Sequence, residues 1–217
     1  MSSTAHPETD RRAIRGQATR QKIVDAAREV LIAHGHAGAS TRAVAEAAGV
    51  HLSQVHYHFG GRHGLLLEVL AQENEALLER QRALYAAPGP LSEKWRIACD
   101  FLDKDLGSGY VRVLWELWAA GLTDPELAAG WSEAMRGWRD LLESVFAAWA
   151  DELQIDLPLP PRALATLVGN LFEGIEIELL AGVEAPHGEV LEAIGALIEG
   201  AEAHKGYDAF ARGWASK

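Results

Sequence analysis

Apolar residues three and four apart recur through this chain and predict an all-α protein. Ile23, Ala27, Val30 and Leu31 share one face of a first helix that Gly35 and Gly38 end. Ser40 or Thr41 caps a second helix, on which Val44, Ala45 and Ala48 form a small apolar face. Gly49 reverses the chain, and Val55 and Phe59, four apart, anchor the inner side of a short third helix. A long helix follows over Arg62–Tyr85, with Gly61 able to cap it and Pro88-Gly89-Pro90 stopping it. Further helices are expected over Leu91–Leu106, Tyr110–Ala120, a stretch opened by Thr123-Asp124-Pro125-Glu126 and running to about Trp149, Pro161–Leu180 and Glu189–Ala203. A short one is expected over Gly206–Lys217. Leu153–Pro161 alternates apolar and polar residues, but its prolines make it a loop.

The stretch from Ser40 to Phe59 carries the chemistry. On the third helix, a turn of about 100° per residue points Ser53, Gln54, His56 and Tyr57 away from the Val55–Phe59 anchor. Such a helix, apolar behind and rich in hydrogen-bonding groups in front, suits the major groove of DNA in a helix-turn-helix. These residues, with TRQKIVDAAREVLIAHG over Thr19–Gly35 and YHFGGRHGLL over Tyr57–Leu66, resemble the TetR-type family of transcriptional regulators. The match covers the first third of the chain. Beyond Leu66 the likeness is an all-helical pattern of fitting length.

The expected organisation is a flexible basic arm over 1–15, a helix-turn-helix domain over 16–66, and a helical effector-binding and dimerisation body over 67–217. Charge follows that division. Residues 1–66 carry 8 Arg and Lys against 5 Asp and Glu, a net of +3, while the remainder carries 12 against 26, a net of −14. A basic head on an acidic body suits a DNA reader whose body must not adhere to the duplex. Arg11, Arg12 and Arg15 give the arm its charge, for a solvated tail or for contact with phosphate or the minor groove.

Among the head residues, Gln54 can pair bidentately with adenine and Ser53 can meet a base or a phosphate. The resemblance places His56 and Tyr57 where family members meet the DNA backbone, although a tyrosine often stands where this chain has His56. Leu52 stands where a basic residue is common. His51 replaces the usual Ser or Thr cap, at a cost of about 1 kcal/mol unless its imidazole substitutes. Arg42, in the first turn of the second helix, and Arg62, at the start of the fourth, read as phosphate clamps aided by the free N–H groups there, and Ser40 and Thr41 at the start of the second helix and His51 at the start of the third are counted with them as DNA-binding.

No cofactor is expected. Seven of the nine histidines lie before residue 67, but His56 and His58 diverge by about 200° on a helix, and no tetrahedral set converges for a metal. Cys99, the sole cysteine, cannot form an internal disulfide, which fits a reducing cytoplasm, and it reads as a small core residue rather than a redox sensor. The N-terminus lacks a signal-peptide apolar region and no run reaches a membrane span, so no membrane partner is expected.

The partners expected are a double-stranded operator, a second copy of the chain and a small-molecule effector. The dimer candidates are the last two long helices, with stripes at Leu164, Val168, Leu171, Ile175 and Leu179 and at Val190, Ile194, Leu197 and Ala201, which could instead form the monomer core. The effector candidates are Trp95, Trp115, Trp118, Trp138 and Phe172, with Glu173 and Glu176 as a carboxylate pair suited to a cation. The simpler reading makes the rings core and the carboxylates a solvated rim. The function expected is a repressor, not an enzyme, that binds a palindromic operator as a dimer and is released by its effector, with the Arg62–Tyr85 helix as the lever. The alternative is a helical small-molecule-binding protein that has lost operator binding.

Overall fold

The computed structural model describes residues 7–203, and every regular element among them is an α-helix. In order these are α1 (Pro7–Gly38), α2 (Thr41–Ala47), α3 (Leu52–Phe59), α4 (Arg62–Ala86), α5 (Leu91–Ser108), α6 (Tyr110–Gly121), α7 (Pro125–Leu153), α8 (Pro161–Leu180) and α9 (His187–Ala203). The helix expected over Gly206–Lys217 lies outside the described residues, as do residues 1–6 of the expected arm.

Residues 7–15 are helical rather than a flexible arm. The fixed φ of a proline suits the first turn of a helix. Sparse apolar content hid this. Gly35 breaks α1 near its end, with φ 66° and ψ −179°, a conformation that a residue with a Cβ adopts only under strain.

The helices group into two compact units. The first runs through Glu73 and also takes in Arg112–Trp131, while the second holds Asn74–Val111 and the chain from Ser132 onward. The unit boundaries therefore fall inside α4, α6 and α7, not in a linker. The sequence reading divided the chain at residue 66 because a boundary within a continuous helix leaves no proline, glycine or polar run to mark it.

The first unit is packed around aliphatic side chains. Ile23, Ala27 and Leu31 of α1, Val44 of α2, Val55 of α3 and Leu65 and Leu66 of α4 are buried, as are Val113 and Leu117 of α6. The second unit is built on rings. Trp95 meets Phe172 edge-on at 5.7 Å and Trp138 meets the same ring at 6.2 Å, pairs worth about 0.5–1.5 kcal/mol each beyond their buried area. Trp95 Nε1 donates to the Leu191 carbonyl at 2.9 Å, which satisfies its buried donor. Pro90 offers no side-chain cap to α5, and the Glu202 carboxylate of α9 accepts from the N–H groups of Leu91 and Ser92 instead. Arg80 of α4 forks onto Asp105 of α5 and lies 4.4 Å from the Phe101 ring centre.

Candidate nucleic-acid interface

The corner between α2 and α3 is set by local chemistry. Ser40 is extended, and its Oγ accepts the Ala43 N–H at 3.1 Å, the capping arrangement its side chain favours. Gly49 takes φ 59°, and the Val50 N–H donates to the Ala45 carbonyl at 3.0 Å to close the turn. α3 starts at His51, which makes no side-chain capping bond, so the imidazole does not replace a serine there. Gly60, at φ 72°, ends α3 with its N–H on the His56 carbonyl. Gly64 fixes the next angle. A Cβ on it would stand 2.2 Å from the Phe59 carbonyl oxygen, so the end of α3 and the start of α4 touch backbone to backbone.

This scaffold aims one helical face outward. Val55 is fully buried (0 % exposed), whereas Ser53, Gln54, His56 and Tyr57 are exposed, Tyr57 to 83 %. The Phe59 ring sits beneath the Arg20 guanidinium, 5.0 Å from centroid to carbon, and Arg20 Nη1 reaches Glu68 Oε1 at 2.6 Å. Arg20 thus ties α1, α3 and α4 together. The bond to Arg20, more than the opposing burial, holds the Glu68 carboxyl below its ordinary value. His51 and Leu52 are exposed at the start of α3, and Ser40 and Arg42 are exposed around the start of α2, with Thr41 half-buried.

Arg62 departs from expectation. Its Nε donates to the Ala39 carbonyl at 2.8 Å and its Nη2 to the His36 carbonyl at 2.5 Å. The guanidinium expected to clamp phosphate is bonded to two carbonyls of the α1–α2 connection. Burial, and next the nearby Arg62 charge, lower the His36 imidazole below its ordinary value, against a smaller pull from Glu116 and Asp124.

The expected effector residues do not form one site. Trp95, Trp138 and Phe172 lie in the second unit, but Trp115 and Trp118 belong to the first, where their rings meet at 5.4 Å and both meet Trp131. Helical periodicity gave each ring a face but could not say which unit that face joins. Glu173 has its counter-charge within the chain, Arg139 Nη2 at 2.6 Å, which removes the case for a cationic ligand there. Burial nevertheless raises the Glu173 carboxyl, outweighing Arg139. Glu176 is half-buried beside it. An open concavity of about 400 Å³ occurs elsewhere in the same unit, lined by Ala147, Ala150, Asp151 and the loop Ile155–Pro161.

The proposed dimer stripes also turn inward in part. Val168 and Ile175 are buried in the core and Leu164, Leu171 and Ile194 pack against it. The exposed large apolar residues of α8 and α9 are Leu167 (58 %), Ile177, Leu179, Leu180, Val190 and Leu197 (54 %). Burial pushes the Cys99 thiol up to about 11, which keeps it protonated and unreactive near neutral pH. No helix among the described residues is long and apolar enough to cross a membrane.

Comparison with known proteins agrees with this geometry. The family described as "Bacterial regulatory proteins, tetR family" matches residues 23–69, which span the buried face of α1 through the start of α4. The chain is 26 % identical over 182 residues to the HTH-type transcriptional repressor AcnR of Corynebacterium glutamicum, covering 84 % of this chain and 91 % of that protein. A TetR-family transcriptional regulator from Agrobacterium tumefaciens shares the fold with a TM-score of 0.72 at 17 % identity, over 83 % of this chain and 97 % of that one. So does the regulator FadR of Bacillus subtilis, solved in complex with stearoyl-CoA, with a TM-score of 0.68 at 17 % identity over 82 % and 96 %. The exposed recognition face, backed by a buried valine, thus lies within a stretch that matches the tetR family of bacterial regulatory proteins, and the chain shares the all-helical fold of regulators of that family.

Proposed function

We propose that the chain is a cytoplasmic repressor that binds a near-palindromic operator as a homodimer and releases it when a small effector occupies the helical body. One observation carries the reading of DNA: α3 keeps Val55 fully buried while Ser53, Gln54, His56 and Tyr57 face solvent together. Gln54 and Ser53 read base edges; His56 and Tyr57 meet the backbone beside them; Arg42, Ser40, Thr41 and His51 hold phosphates at the two helix starts. Arg62 supports this face by fixing the α1–α2 connection.

A recognition helix of eight residues buries too little surface for tight operator binding alone, so two copies are needed. The exposed apolar residues of α8 and α9 supply the pairing face, and open space around Gly174 and Gly188 lets a second backbone approach. The homologous repressor AcnR and the FadR complex support repression and response to a ligand, respectively. An effector acts by preferring the body conformation in which the two heads are misplaced for DNA.

Footprinting across the DNA flanking the chain's own gene tests the proposal. A protected near-palindrome with half-sites about one helical turn or a little more apart is expected. Absence of preference for any duplex in low salt would defeat it and leave a helical receptor without an operator.

A further inference from the structure

The segment 112–131 lies far along the chain from the helix-turn-helix, yet it packs in the same compact unit. Polar ties hold it there. With ψ of Gly35 at −179°, the His36 N–H is turned out of the α1 ladder, and it donates to Glu116 Oε2 of α6 at 2.7 Å. Gly35 is shaped to this seat: besides its φ of 66°, a Cβ there would stand 2.8 Å from Glu116 Oε1. The His36 carbonyl, on the same residue, accepts from Arg62, so both backbone groups at the break have side-chain partners from other helices. Four residues on, Ser40 caps α2.

A second tie lies at the start of α7. His63 Nδ1 is 3.1 Å from Asp124 Oδ2, and Asp124 itself caps α7 by accepting from the N–H groups of Glu126 and Leu127. His63 Nε2 is 2.6 Å from Glu126 Oε2, a close contact but off the direction of a hydrogen bond. The helices that carry these ties, α6 and α7, continue from the first unit into the second without a break.

We propose that Glu116 is a positioning residue of the DNA reader: its carboxylate replaces the partner that the break at Gly35 removes from the His36 N–H, and so holds the corner from which α2 and α3 are aimed. α6 is then part of the reading head, and a displacement of α6 is felt at the recognition helix through one charged hydrogen bond. The inference rests on the DNA-binding reading above for its consequence, but its structural half stands apart from it.

The test uses the full-length chain, the duplex protected in footprinting, and amide hydrogen exchange at His36. In Glu116→Ala, exchange at His36 should rise and duplex affinity fall, each about tenfold, as for loss of a charge-assisted bond. Glu116→Gln keeps an acceptor and should restore both to within about threefold. Glu133→Ala, on the exposed side of α7, should change neither. Glu116→Ala with unchanged exchange and affinity overturns the proposal, and so does equal loss in the Ala and Gln variants. Should Glu116→Ala fail to fold, an unprotected His36 amide in the wild-type chain overturns it as well. A wild-type chain that protects His36 but prefers no duplex defeats the operator reading and leaves the latch standing.

Discussion

In the first unit the α2–α3 segment buries only short side chains, Val44, Ala45, Ala48 and Val55, and the polar corners are closed by directional bonds from Ser40, Arg62 and Glu116. In the second, Trp95, Trp138, Phe172 and Phe146 fill a broad core, and its helices are joined by wide ring contacts. Short side chains let α2 and α3 lie close on α1, but they leave little area to hold an angle. The angle is therefore set by directional bonds. A core of large rings holds its helices by area, which tolerates adjustment of shape. The unit that presents four side chains in register is the one whose α2–α3 corner is fixed by direction, and the other unit is held by bulk.

The widest break in that contrast comes from the two cores. Leu142→Ala in the body should cost about 2–5 kcal/mol in denaturant unfolding while the folded fraction still reads its operator. Val55→Asp should abolish duplex binding outright, because a carboxylate replaces a side chain with no exposure beneath the recognition face. A Val55→Asp chain that still protected its operator would sink the placement of α3.

Next come the readers themselves. Gln54→Ala should relax preference at one base position by about 1–3 kcal/mol in competition binding. Arg42→Ala should weaken all duplexes alike and lower the salt slope by about 1. Identical sequence profiles for the two variants would show that they do not divide the work. Ser40→Ala removes the cap of α2 and should cost about 1 kcal/mol of head stability, read by exchange of the Ala43 amide.

The smallest effect is that of pH on the head. His36 titrates below its ordinary 6.5 in the folded chain. On acidification the unfolded chain takes up that proton first, so its contribution is complete above 6.5 and declines as pH falls below it. His36→Gln should flatten that part of the stability profile, while Glu68, also lowered, contributes above its ordinary 4.5 and loses that as pH falls further.

Much of the head was legible because its signals are local. Gly49 marks a turn, Ser40 marks a cap, and Val55 with Phe59 marks the inner face of α3, all within a few residues of the structure they direct. The start of α7 was equally plain, since Asp124 caps it and Pro125 follows. What the sequence hid depends on distant neighbours. Arg62 looked like a free cation at a helix start, but the carbonyls it satisfies belong to residues 23 and 26 positions earlier. Trp115 and Trp118 looked like companions of Trp95, but they belong to the other unit. Val168 and Ile175 looked available for a partner, but they are buried in the chain's own core.

By itself the sequence determined nine helices in nearly their right places among residues 7–203, the turn chemistry between α2 and α3, and the set of side chains that α3 turns outward, because helical period and glycine conformation act over one or two turns. The tertiary structure alone decided that α6 joins the head, that Glu116 takes the hydrogen bond broken at Gly35, and that Leu167 and Leu197 rather than Val168 and Ile175 remain uncovered. Those outcomes depend on which faces meet across gaps of tens of residues, and a periodic pattern names a face without naming what covers it.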